Sequence, residues 1–484
     1  MAAVAVLPLL LAAHIRLRRP NLPLLIKIFI LITGLPIVSH MFLKRYFVAV
    51  YHDSFDGVPY TINHLNFVTG MAVGFAGLKF IEVLLLGKDE EFKVKGAKEY
   101  NDRHKPHQGK RDGVKCLERP MLFPGTVMPL EVDMIINIRG QGYNWGLQES
   151  KAGYKARIET EELAMKSASV ALSEKWSHLH RVGKSFLINY ALMDICDSIV
   201  KDAKIFPPAG RPGGGSVEEA VDGIFGRLGP LLVVITTGVM IFVALQALYS
   251  LLYLLQLVFT RPANIPLTVS KNEPLPFYRP HSATSLASFW SIHWHAFIRR
   301  TFTVSVYKPI RRCSNYLGLP SKVGQMAAII ATFALSGLLH EGCLEGQVTH
   351  YHDKDLTLRY GHLNLSLASN QKQSRYGFGA RNFLTTYAFT VQAFFVILEG
   401  FWLSGIEPRI AAFIWSRSGK KSSNDKLIHG AARDGIGWFW TMSCMVYSGY
   451  FLTDLWLTHG LGNSICTLRL FSRVYNFVLS PIYR

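Results

Sequence analysis

Leu231–Phe259 reads LLVVITTGVMIFVALQALYSLLYLLQLVF, an apolar run interrupted mainly by Gln246 and Gln256. It exceeds the ~20 residues that a helix rising ~1.5 Å per residue needs to cross ~30 Å of hydrocarbon. Working outward, similar runs recur at Leu22–Val38, Leu65–Leu86, Phe186–Val200, Met326–Leu339, Phe383–Leu403 and Trp438–Leu457. Leu65–Leu86 carries Lys79 and Glu82 inside it. The opening stretch Ala2–Ala13 is apolar, has no basic residue before it, and is followed by Arg16, Arg18 and Arg19, a retained membrane segment rather than a cleaved leader. The expected fold is all-α and integral to the membrane, a multi-span bundle of about eight spanning helices enclosing a tunnel, with short amphipathic helices.

Composition agrees with lipid as the solvent. Of 484 residues, 49% are hydrophobic and 12% aromatic. Lys and Arg outnumber Asp and Glu 52 to 33, a net charge of +19, and the basic residues lie between apolar runs. That distribution suits loops at an anionic cytoplasmic leaflet. Neither zinc-finger spacing, nor an RNP-like aromatic motif, nor a basic helix accompanies the charge, so no nucleic-acid partner is expected. Cys116, Cys196, Cys313, Cys343, Cys444 and Cys466 are scattered without a CxxC pair, implying neither a disulfide framework nor a zinc site.

The segments between the runs are also informative. Lys88–Asp112 mixes both charge signs and reads as a solvated loop. Glu159–His180 has apolar residues every three or four positions among charges, as in an amphipathic helix lying near the surface. Pro207–Ser216, PPAGRPGGGS, reads as a flexible linker. No internal repeat is visible, which disfavours transporters built from duplicated halves.

Two stretches concentrate the chemistry. Met326–Glu341, MAAIIATFALSGLLHE, is an apolar helix closing on His340 and Glu341. Ionisable groups at that depth either face a polar cavity or mark the helix end at the interface. Ser288–Arg300, SFWSIHWHAFIRR, holds Trp290, Trp294 and His295 before Arg299 and Arg300. On a continuous helix Trp290 would share a face with Trp294, and His295 with Arg299. The plainer reading of this stretch is an aromatic-basic anchor at the membrane interface.

Together these stretches resemble the membrane-bound O-acyltransferase superfamily, and within it the wax-synthase-like branch that includes fungal acetyltransferases of terpenoid alcohols. That branch carries an FW-x-x-x-W-H/N box, matched by Phe289, Trp290, Trp294 and His295. Its SG-x-x-HE helix is matched by Ser336, Gly337, His340 and Glu341. Asn137–Trp145, NIRGQGYNW, is similar to its RG box through Arg139, Asn144 and Trp145, with Gln141 and Tyr143 departing from the usual Ile and Trp. Ser448, Phe451, Asp454 and Gly460 are similar to its final span. The resemblance divides the chain into N-terminal segments at 1–130, an acyltransferase region at 131–460 and a tail at 461–484.

Acylating an alcohol needs a base for the hydroxyl proton, donors for the oxyanion and a chamber that keeps water from the thioester. An imidazole, with its ordinary pKa of ~6.5, suits the base, and His340 is the candidate. The resemblance gives His295 the second polar catalytic position. A Ser336–His340 acyl-enzyme pair is conceivable at four-residue spacing, although Ser336 and Gly337 more readily let helices approach closely. Trp290, Trp294, Ser336, Glu341, Arg139, Asn144 and Trp145 are expected to shape the substrate site. Gln392 and Glu399 share a helix face, where they line the cavity or bond across helices. Arg139, Arg299, Arg300, Lys308, Arg311 and Arg312 either hold coenzyme A phosphates or anchor the cytosolic face. His350, His352 and Asp353 read as solvated rather than metal-binding, and Asn364-Leu365-Ser366 is a glycosylation sequon.

These readings predict an enzyme of the endoplasmic reticulum membrane. It takes acyl-CoA, with acetyl-CoA favoured, as co-substrate without a bound cofactor, and esterifies a lipophilic alcohol such as a terpenoid. The alternatives are a wax-ester synthase acting on long-chain alcohols and a multi-span transporter.

Overall fold

A computed structural model of the chain describes residues 8, 10–15, 22–43, 63–86, 119–120, 127–128, 168–202, 204–207, 216–259, 279–294, 298–351, 383–407, 409 and 423–458. These residues are helical, apart from connections and one short antiparallel pair, β1 (Arg119–Pro120) with β2 (Val127–Met128). The long helices are α1 (Leu24–Leu43), α2 (Asn63–Ile81), α3 (Ala168–Val200) and α4 (Gly229–Phe259). Three short ones follow, α5 (Leu286–Ser288), α6 (Arg299–Phe302) and α7 (Lys308–Tyr316). Then come α8 (Ser321–Tyr351), α9 (Leu384–Phe401) and α10 (Ser423–Thr458).

Among the described residues, Gly226–Leu255, Ser321–Cys343 and Leu384–Ile406 are long and apolar enough to cross a membrane. Their outward faces are apolar too. Leu231, Ile235, Val239, Leu248 and Leu252 of α4 are exposed, as are Phe394, Leu398 and Phe401 of α9. Rows of large hydrophobics at helical spacing on the outside are what lipid, not water, accepts. The inward face of α9 is the more polar one, with Thr385, Gln392 and Glu399 buried beside Phe389.

The expected amphipathic segment and the run Phe186–Val200 are not separate. From Ala168 they form the single helix α3, packed along α4. No proline interrupts the junction, and Gly183, with open space beside it, costs a helix only about 1 kcal/mol. Lys88–Asp112, most of Pro207–Ser216, His352, Asp353 and the sequon lie outside the described residues, while His350 falls in the last turn of the helix that ends at Tyr351.

Among the described residues, four π-turns re-phase the helices: Glu82–Leu86 after α2, Phe289–His293 after α5, Thr303–Tyr307 between α6 and α7, and Trp402–Ile406 after α9. Such turns widen one helical turn and redirect the side chains beyond it. In the aromatic stretch the helix then ends. The Trp294 amide donates to the Phe289 carbonyl at 2.8 Å, and Trp294 itself is extended at φ −118°, ψ 127°. The expected continuous helix over Ser288–Arg300 is therefore broken at Trp294, with Arg299 opening a new one. The α-helical spacing of Trp290 to Trp294 no longer applies, and His295, whose spacing to Arg299 was the other expectation, lies outside the described residues.

α8 is the hub. It packs on α9 and also touches α2 and α7. Its approach to α9 depends on Gly337, where a Cβ would fall 2.5 Å from the Thr386 Cα. Gly70 of α2 lets that helix in likewise, since a Cβ there would lie 3.0 Å from the Cys343 sulfur. The expectation that Ser336-Gly337 allows close helix approach is met at Gly337.

Candidate active site

His340 sits at the meeting of α8, α9 and α2. Its ring centroid is 4.4 Å from that of Phe389 and 6.0 Å from that of Phe67. The Nδ1 atom lies 2.7 Å from the Ser336 carbonyl oxygen. A carbonyl only accepts, so the proton of this bond is on Nδ1, which leaves the Nε2 lone pair of the neutral ring available. The Ser336 carbonyl, one turn earlier on the same helix, thus sets the tautomer that a general base requires. That contact is made by the backbone of Ser336, not its hydroxyl, and gives no support to a Ser336–His340 nucleophile pair.

Glu341 turns the other way. Its Oε2 accepts from the Thr386 amide at 3.0 Å and the Thr386 hydroxyl at 3.4 Å, satisfying an amide in the first turn of α9. Glu399 does the same for the aromatic box. Both its carboxylate oxygens accept from the Leu286 amide, at 3.1 and 2.7 Å, where α5 begins. Each carboxylate fixes the start of an element that carries part of the site.

Trp290 connects the two motif stretches. Its ring meets Phe333 of α8 edge-on at 5.4 Å and 90°, and lies 6.1 Å from Phe389. Since Phe389 also covers His340, the aromatic box and the SGLLHE helix share one wall. The indole Nε1 donates to Gln392 Oε1 at 3.2 Å. The Gln392 Nε2 donates onward to the Cys444 carbonyl at 2.9 Å and to the Ser448 hydroxyl. Of the two readings open to Gln392, the structure shows bonding across helices. Trp294 stacks on Phe289 at 5.7 Å and 13°.

The tail motif supports the box from below. Trp438 Nε1 donates to the His281 carbonyl at 2.7 Å, and a Cβ at Gly437 would lie 2.1 Å from the Thr284 carbonyl oxygen. Asp454 accepts from the Val217 amide at 2.7 Å, holding the segment that leads into α4.

The basic residues divide. Arg299 is exposed and donates to the Ser291 carbonyl at 2.8 Å, and Arg311 donates to the Ser321 carbonyl at 2.8 Å. Arg300 is committed to Glu82, Nε to Oε1 at 2.8 Å, inside a cluster with Lys79 and Thr301. His295, Arg139, Asn144 and Trp145 lie outside the described residues, as does Gly460. Phe67, Phe389 and the anchoring role of Glu82 were missed from sequence. An aromatic residue in an apolar run carries no mark of what it faces, whereas Glu82 was signalled as a charge inside the apolar run Leu65–Leu86.

The sequence profile of the Membrane bound O-acyl transferase family matches residues 274–356, the part containing both the aromatic box and His340. Within curated proteins, the chain is 40% identical over 70 residues to "Probable long-chain-alcohol O-fatty-acyltransferase 2" of Arabidopsis thaliana, covering 14% of this chain and 20% of that protein. It is 34% identical over 65 residues to "Acyl-CoA--sterol O-acyltransferase 1" of the same plant, 13% of this chain and 18% of that one. It is 35% identical over 66 residues to the "Long-chain-alcohol O-fatty-acyltransferase" of Simmondsia chinensis, again 13% and 18%. The aligned stretch therefore spans about a fifth of the length of these relatives. No solved structure matches the chain.

Proposed function

We propose that the protein is a membrane O-acyltransferase that moves an acyl group from acyl-CoA to the hydroxyl of a lipophilic alcohol, with His340 as general base. The reading is carried by one observation: in the stretch similar to acyltransferases, His340 presents Nε2 from an aromatic enclosure while Ser336 holds the proton on Nδ1. The hydroxyl gives its proton to Nε2 as its oxygen attacks the thioester carbonyl. A C–O bond forms, the C–S bond breaks, and the proton passes to the departing thiolate. His295 is the proposed partner that orients the alcohol, within a bundle of about eight spans around a tunnel that excludes water. The donor enters from the cytosol and the alcohol from the bilayer of the endoplasmic reticulum.

Two acyl donors are in contention. The fungal branch that the motifs resemble favours acetyl transfer to a terpenoid. The plant relatives, named for fatty-acyl transfer to long-chain alcohols, favour a long acyl chain and hence a wax-ester product. Membranes containing the protein, given labelled acetyl-CoA or palmitoyl-CoA with terpenoid, sterol and long-chain alcohols, separate the two by product mass. His340→Ala is expected to lower ester formation ~10²- to 10⁴-fold, the usual contribution of a general base. Undiminished turnover in that variant removes His340 from the mechanism, and solute counterflow without ester formation favours a transporter.

A further inference from the structure

Trp456 lies in the last turns of α10, and its indole Nε1 is enclosed without a hydrogen-bond partner among the described residues. Its ring meets Phe67 edge-on at 5.4 Å and 61°, and Phe67 in turn lies 6.0 Å from the His340 imidazole. One phenyl ring therefore lies between the Trp456 indole and the imidazole of the proposed base. Trp440 provides a contrast on the same helix. Its Nε1 is also enclosed and unpaired, but its ring packs on Phe395 at 5.9 Å. Trp440 precedes Trp456 by sixteen positions, ~24 Å of helix.

A buried donor without an acceptor weakens the folded state, and a native chain that keeps one calls for a reason, such as an acceptor supplied by a substrate. An indole only donates, so that acceptor must be an oxygen or similar atom. Two oxygens meet at the proposed reaction. The attacking hydroxyl must keep its lone pair for the carbonyl carbon, and a donor placed on it would blunt the attack. The thioester carbonyl oxygen gains negative charge in the same step, so a donor there acts most strongly in the transition state.

We propose that the Trp456 indole N–H donates to the carbonyl oxygen of the bound acyl thioester and holds the oxyanion formed on attack; this rests on the acyl-transfer reading of His340. As the alcohol oxygen bonds to carbon, the carbonyl electron pair moves onto oxygen facing Trp456, and the hydroxyl proton goes to His340 Nε2. When that pair returns, the thiolate leaves and takes the proton. Phe67, packed against both rings, presents no competing acceptor.

The test replaces Trp456 with β-(3-benzothienyl)alanine, which keeps the ring shape and removes the N–H, and makes the same replacement at Trp440. Turnover with acyl-CoA should fall on the order of 10²- to 10³-fold at position 456, as for loss of an oxyanion donor, and stay unchanged at 440. The ligand-free variant at 456 should melt at a higher temperature, because its unpaired donor is gone. Binding provides a readout independent of turnover. The unaltered protein should prefer a ketone analogue of acyl-CoA, which keeps the carbonyl, over a thioether analogue, which lacks it, and the 456 variant should lose that preference. Trp456→Phe should behave in the same direction.

Normal ester formation and an unaltered ketone preference in the 456 variant overturn the role of Trp456 while leaving His340 in place. A fall in turnover with the preference retained also overturns it, since the donor then acts elsewhere. If the unaltered protein forms no ester and binds neither analogue, both proposals fail together.

Discussion

At the residue scale, Gln392 shows why a side chain of this type is required. One end must accept from the Trp290 indole, which only donates, and the other must donate to the Cys444 carbonyl, which only accepts. Gln392→Glu keeps the acceptor and loses the donor, while Gln392→Met keeps the approximate shape and loses both. Each stranded buried partner costs about 1–3 kcal/mol, so both variants should unfold at lower temperature in detergent. Trp290, released from its anchor, should shift against Phe389, and acyl transfer should fall with wider tolerance of acceptor shape. Equal melting points and an unchanged acceptor profile would show that the bridge has no influence. Gln392 was legible as a polar residue in an apolar run, but its partners stand 102, 52 and 56 positions away. Sequence spacing within one helix has no access to contacts of that range. His340 was legible because an imidazole closing an apolar segment is costly wherever it points, and such a cost draws attention without any partner being known.

At the element scale, the site depends on how closely α8 and α9 approach. A Cβ at Gly337 would meet the Thr386 backbone at 2.5 Å and the Phe389 Cβ at 3.2 Å, and backbone cannot swing aside as a side-chain end can. Gly337→Ala should therefore part the helices, at about 1–3 kcal/mol as for other overpacked contacts. Two consequences follow for the chemistry. Phe389 moves off His340, and the Glu341 carboxylate loses reach to the Thr386 amide. Protein of near-normal abundance with greatly reduced transfer is expected, whereas Gly400→Ala, which has open space, should be near normal. Full activity in Gly337→Ala would mean that the helix spacing does not matter to the reaction. The helices themselves were readable from apolar length. The break at Trp294 was not, because a π-turn over Phe289–His293 leaves no mark in composition: it is imposed by the contacts that hold Trp290 and Phe289 in place. The merging of two expected segments into α3 has the opposite cause, a polar junction that nothing obliges to bend.

At the scale of the whole molecule, Glu82 ties the N-terminal helices to the segment that follows the aromatic box. It is 0% exposed and Lys79 2% exposed. Its oxygens accept from Arg300 Nε at 2.8 Å, Thr301 Oγ1 at 2.7 Å and Lys79 Nζ at 3.2 Å. One turn along, the Ser305 hydroxyl donates to the Leu78 carbonyl at 3.1 Å, closing the seam between α2 and the π-turn Thr303–Tyr307. The helices were visible in sequence as separate apolar runs, and the ionisable pair inside Leu65–Leu86 was visible as an anomaly. What joined them was not, since Arg300 reads equally well as an interfacial anchor until its neighbour across 218 positions is known. Charges in such a setting are worth little as a net stabiliser, yet removing one member alone leaves the others desolvated without compensation. Glu82→Ala should then lower stability by about 3–5 kcal/mol, read as a large drop in melting temperature in detergent and as loss of protein from membranes. Replacing the whole cluster at once, with Lys79→Met, Glu82→Leu and Arg300→Met, should recover most of that stability, because no buried charge remains to be compensated. A single Glu82→Ala variant that melts like the unaltered protein, or a triple variant that melts below the single one, would show that the cluster is solvated and does not fasten the two parts of the fold.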